Sequence, residues 1–232
     1  MQFYALVEER PGESLAYFRE LPGCLSSAST TEAAIQAAPT VIEYYFRWLK
    51  ENGIVLFETV DSLHVVLSER LSGASAEASP LFASDHTAPD DQEIDNALNV
   101  AATARALIIE LVTGVPVELR EQIPPSGGWS LTGHLRHVME QETWYVSRVC
   151  EQPGEEQPAR LMDADAISMK IFENAMDYEL LLRELTAEQR SQVYLHQGEE
   201  WTAAKVLRRM AGHLREHARW MEETVRQLSA AR

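Results

Sequence analysis

The sequence is poor in cysteine, in basic residues and in long apolar runs. Cys24 and Cys150 are the only cysteines among 232 residues, and they lie far apart in the chain. Two distant thiols build neither a disulfide framework nor a cysteine metal knuckle, so each reads as a buried or half-buried thiol. Lys and Arg number 20 against 36 Asp and Glu, a formal net charge of −16. That balance disfavours nucleic acid and anionic membrane surfaces as partners, and no local basic run offers an exception. The strongest apolar stretch, around Leu107-Ile108-Ile109, is broken by Arg105 and Glu110, so no membrane span is expected. Residues 1–10 are too short and too acidic to form a secretory signal. These absences together point to a cytoplasmic protein. With 45% hydrophobic and 24% charged residues, the composition is that of a globular chain able to bury a good core.

The first third alternates between strand and helix signals. Residues 2–8 are apolar and β-prone and stop at Arg10-Pro11-Gly12; residues 14–21 form a second such run and stop at Pro22-Gly23. The short loop between them predicts a hairpin. Ser29-Thr30-Thr31-Glu32 has capping-box spacing, and apolar residues then recur at Ile35, Ala38, Val41 or Ile42, Tyr45, and Trp48 or Leu49 with a helical period. Pro39 either kinks this helix or divides it in two. Asn52-Gly53 closes it, and residues 54–60 and 64–71 again read as strands. The order β-β-α-β-β describes a small α+β unit with one helix against a sheet.

Tyr17-Phe18-Arg19-Glu20-Leu21-Pro22-Gly23-Cys24, then Ser29-Thr30-Thr31-Glu32-Ala33 and the aromatic-rich helix, resemble the HicB-like fold over residues 1–72. Antitoxin members of that family neutralise an RNA-cleaving toxin and usually carry a DNA-binding tail. No ribbon-helix-helix or helix-turn-helix pattern follows here. The expected role of the unit is therefore interaction or dimerisation.

Residues 73–88 are rich in Ser, Ala, Pro and Asp without an apolar period, and read as a linker in which His86 is a solvated loop residue. Four amphipathic helical patterns follow within 89–232. Asp90 or Asp91 caps the first, Ser130 the second and Thr202 the last; the third covers roughly 163–185. Four helices of this length predict an all-α four-helix bundle.

Four of the seven histidines lie in the expected bundle helices: His134, His137, His213 and His217. His213 and His217 are four residues apart and so share one helix face. At 100° per residue, His213, His217 and Trp220 fall on one shoulder of the last helix's apolar stripe. His137, Gln141 and Trp144 fall on the same-handed shoulder of the second. Facing shoulders would bring three imidazoles together, with coordination positions left open for water or substrate. Gln141 and Trp144 would then line the pocket. Geometry does not separate His134 from His137 as the third ligand. The string His213-Leu214-Arg215-Glu216-His217 also spells an inverted zinc-peptidase motif, but the acidic ligand needed far downstream is missing. Glu216 accordingly reads as a surface charge. Diiron Glu-x-x-His pairs are absent, because the residues three before His137, His213 and His217 are His134, Met210 and Leu214.

Trp129-Ser130-Leu131-Thr132-Gly133-His134-Leu135-Arg136-His137-Val138, with Trp201-Thr202 and Met210-Ala211-Gly212-His213-Leu214-Arg215-Glu216-His217, resembles the DinB/YfiT-like superfamily over residues 89–232. Its members open the second helix with a similar Trp-Ser, place a metal histidine eight residues after the Trp, and carry His-x-x-x-His on the last helix. The resemblance thus implies His137, His213 and His217 as metal ligands, with a core position at His134. It implies a divalent metal, zinc or nickel, and a metal-dependent transferase or hydrolase acting on a small molecule with a low-molecular-weight thiol. The alternative is a non-catalytic binding or regulatory protein assembled through the HicB-like unit. Both families imply a homodimer.

Overall fold

The computed structural model describes residues 1–56, 63–72, 79–150, 160 and 162–230. Strands β1 (Gln2–Arg10) and β2 (Glu13–Phe18) form the expected antiparallel hairpin. A third strand, β3 (Leu25–Ala28), pairs with β2; four residues are too few to show a strand period in the sequence. Helix α1 (Thr31–Glu51) runs through Pro39 without a break, and Thr30 caps it by accepting from the Ala33 N–H at 3.1 Å. Strand β4 (His64–Ser72) returns parallel to β1, completing the order β3-β2-β1-β4. The strand expected over 54–60 falls largely outside the described residues, and residues 54–56 are not strand.

Alternate residues of β1 explain how this sheet is covered. Phe3, Ala5 and Val7 pack with Ala38, Ile42 and Tyr45 of α1. Leu6 points the other way and packs with Leu15, Tyr17 and Phe82. Phe82 belongs to residues 79–86, which end in a short 3-10 turn, Ala83–His86. His86 is solvent-exposed there, as expected.

The second part is a bundle of four long helices. They are α2 (Asp91–Thr113), then, after the single turn α3 (Val117–Arg120), α4 (Leu131–Val146), and α5 (Ala164–Arg183). The short helix α6 (Ala187–Ser191) and the hairpin of β5 (Tyr194–His196) and β6 (Glu199–Trp201) lead into α7 (Ala203–Ala230). The hairpin's turn residues, Gln197 and Gly198, both adopt positive φ. Asp90, Ser130 and Thr202 each accept from the N–H three residues on, as N-caps. Arg105 of α2 fastens three helices from inside, pairing with Glu142 of α4 at 2.7 Å and Glu179 of α5 at 3.3 Å.

The sheet unit docks onto α2 and α7. Val100 and Ala211 of those helices are fully buried members of the sheet unit's own core. Gly23 makes this approach possible: a Cβ there would lie 2.9 Å from Val100 Cγ1 and 3.1 Å from the Ala211 carbonyl. Arg215 of α7 lies over the rings of Tyr45 and Trp48, 4.6 and 4.4 Å from their centroids, and donates to the Gly23 carbonyl at 2.9 Å. Arg208 pairs with Asp85 at 2.7 Å and Arg19 with Glu93 at 2.7 Å.

Candidate metal centre

His137 comes from the second turn of α4, His213 and His217 from successive turns of α7. These helices pack side by side because Leu131, Leu135 and Val138 share a core with Val206, Met210 and Leu214. The helix phase that buries those apolar residues turns the three histidines toward one another. One nitrogen from each of His137, His213 and His217 lies within 4.8 Å of the others. Nε2 of His137 and Nε2 of His213 are 2.9 Å apart, and the His213 and His217 ring centroids are 4.4 Å apart. A three-histidine cluster able to hold a divalent metal is therefore present.

His134, which helix phase alone had left as a rival to His137, takes a different position. Its Nδ1 lies 2.9 Å from Nδ1 of His217, and both rings are buried. This contact occupies one nitrogen of His217 and leaves its Nε2 as the other ring atom. It fixes the ring in the way that an outer-shell partner fixes a metal ligand.

The surroundings hold these imidazoles neutral. Burial lowers the pKa of His217 to about 3, with His134 and His137 adding repulsion. Burial lowers His134 to about 4, with His137 adding repulsion. His213 lies well below the usual histidine range, through burial first and then His217 and His137; His137 is lowered by burial. Neutral nitrogens with available lone pairs are what a metal requires. The donor set thus fits a divalent cation, and the buried Nδ1 of His213 has no hydrogen-bond partner.

The cluster opens into a cavity of about 410 Å³. Trp129 and Trp220, each about half exposed, flank it with ring centroids 4.7 Å from His137 and 5.0 Å from His217. Tyr145 and Arg209 add bundle walls, and the sheet unit supplies Arg10, Glu13, Leu15 and Tyr17. Sequence reading did not reach these last four, because nothing local in residues 1–72 signals docking against a helix 200 residues away. Trp129 and Trp220 were both visible, as the start of α4 and a neighbour of His217.

Two expected pocket residues behave differently from the reading of helix faces. Trp144 packs at 5.0 Å, perpendicular, against Trp201, and carries Arg148 over its ring; it lines a separate groove. Gln141 is half-buried and does not line the histidine cavity. Glu216, expected at the surface, is half-buried and lines the cavity, and burial raises its carboxyl pKa. Neither cysteine is activated: burial pushes Cys24 up to about 12 and Cys150 up to about 11. Among the described residues no helix is long and apolar enough to cross a membrane.

Residues 101–221 match the pattern that defines the DinB superfamily. That span begins within α2, ends within α7 and contains His137, His213 and His217. No curated protein and no solved structure matched the chain.

Proposed function

The chain belongs to the DinB superfamily, and on that premise we propose that it is a divalent-metal-dependent enzyme acting on a small molecule, a thiol-dependent transferase or hydrolase. His137, His213 and His217 would hold the metal, zinc or nickel, both of which suit imidazole donors. The observation that carries this reading is the convergence of three neutral imidazoles at the wall of a cavity large enough for a small substrate. A bound divalent cation would lower the pKa of a thiol or water, supplying a nucleophile near neutral pH. The chain's own residues do the rest. His134 holds the His217 ring in one orientation, and Trp129 and Trp220 shield the opening from bulk water.

The sheet unit, read as a HicB-like module, serves this site and assembly rather than toxin neutralisation. The homodimer is supported by Met169, Phe172, Met176 and Leu180, which recur at helical spacing on the exposed face of α5. A second copy would cover that stripe. A cytoplasmic location agrees with the acidic composition.

Turnover is the test. Protein loaded with zinc or nickel is assayed against thiol S-conjugates and small esters, before and after chelation and metal restoration. Turnover that follows the metal supports the reading. Stoichiometric metal with no turnover on any member of the panel overturns the enzyme and leaves a binding protein.

A further inference from the structure

The span that defines the family starts at residue 101, yet four residues lining the histidine cavity come from the first 17 residues of the chain. Their charges form an unusual arrangement. Glu8 is fully buried at the hairpin. Its Oε1 accepts from Arg10 Nε at 2.7 Å, and its Oε2 accepts from the Ser79 hydroxyl at 2.9 Å and the Tyr17 hydroxyl at 3.4 Å. Arg209 of α7 approaches the same carboxylate only to 3.9 Å and donates Nη1 to the Tyr17 hydroxyl at 3.3 Å. Its Nε is buried and has no hydrogen-bond partner. Two guanidiniums therefore share one carboxylate whose oxygens are already engaged, and both line the cavity.

Arg209 is also placed at a defined distance from the histidines. It lies four residues before His213 on the same helix, so their side chains start about 6 Å apart on one face. Both line the same cavity, so a short linear molecule can meet the two together. Glu13 and Glu216 line the same cavity, and Glu216 is attracted by both Arg209 and Arg10 without forming an ion pair with either among the described residues. The cationic corner is thus local. It suits a compact monoanion with two parallel acceptor oxygens and opposes a polyanion.

We propose that the N-terminal sheet unit is a working part of the site, and that Arg10 and Arg209 bind a carboxylate on a small substrate whose other end meets the three-histidine centre. This rests on the metal-centre reading above and names its substrate class. The sheet unit would then set specificity, while the family's helices carry the metal ligands.

The test uses the full chain loaded with zinc and two probes of equal length, 4-mercaptobutyrate and 4-mercaptobutan-1-ol. Binding is measured by calorimetry on wild type, Arg209→Gln and Arg10→Gln, with metal content determined on the same samples. Wild type should bind the carboxylate at least about tenfold more tightly, the worth of a charge-assisted hydrogen bond. Both variants should bring that ratio near one with the affinity for the alcohol unchanged. Arg10→Gln, at the end of a hairpin strand, keeps the test intact if Arg209→Gln fails to fold. Bound metal with equal wild-type affinities, or a ratio that survives Arg10→Gln, overturns the carboxylate assignment alone. A wild-type chain that holds no metal overturns the metal centre and this proposal together.

Discussion

His217 has one ring nitrogen against His134 and the other side of its ring against His137 and His213. That division separates the proposed ligands from their support. His213→Ala removes a donor, and bound metal should fall below about a tenth of an equivalent by elemental analysis, since two imidazoles leave the ion short of ligands. His134→Leu should keep about one equivalent but weaken affinity about tenfold, the usual scale for an outer-shell partner. Equal losses from the two variants would place His134 among the ligands. The same rings set a pH dependence in metal-free protein. A histidine whose pKa falls from the usual 6.5 to about 3 in the fold binds fewer protons there than in the unfolded chain. Stability should therefore rise with pH between those values, level off above neutrality, and be lost as pH falls. Thermal melts from pH 4 to 7.5 should show this, and a flat profile would contradict buried neutral histidines. At this scale helix phase put His213 and His217 on one face, and the family resemblance, not helix phase, ranked His137 above His134. The sequence was less informative about His134 and Trp144, where a fraction of a turn decides between cavity, core and a neighbouring groove.

The elements were legible where their signals were local and long. The third bundle helix lies close to its expected 163–185, and Asp90, Ser130 and Thr202 cap the other three as expected. The strand β3 and the β5–β6 hairpin were not, because runs of three or four residues leave no period to read. Gly23 shows an element-level constraint that sequence marks only as a turn. Its φ is +78, and an added Cβ would press on α2 and α7 at once. Gly23→Ala should cost about 1–3 kcal/mol through overpacking and backbone strain, read as a lower midpoint in urea. An unchanged midpoint would mean that the sheet unit does not bear closely on the helices. For the proposed homodimer, Phe172→Glu in the exposed stripe of α5 should convert dimer to monomer in light scattering without lowering helix content. A dimer that persists would put its interface elsewhere.

The whole molecule is tied together by contacts that no local pattern announces. The sheet unit's core includes residues of α2 and α7, and Arg208, Arg215 and Lys205 reach from α7 to the sheet unit or to residues 79–86. Lys205 is fully buried, donating to the Ser79 and Glu200 carbonyls and to Glu199 within 2.8 Å. Such coupling predicts one cooperative unfolding transition. Far-ultraviolet dichroism and tryptophan fluorescence should give coincident curves, with Trp48 reporting on the sheet unit and Trp129, Trp144, Trp201 and Trp220 on the bundle. Separate transitions would mean that the two parts are independent. The same docking gives the cavity its composite wall, so the site is a property of the folded chain as a whole.

If the three converging imidazoles form a metal centre, wild-type protein purified after metal-replete expression carries the ion, and elemental analysis reads it. One equivalent of zinc or nickel per chain, lost in His137→Ala, His213→Ala and His217→Ala alike, is the predicted result. Less than a tenth of an equivalent in wild type, with the three variants as stable as the parent, would contradict it.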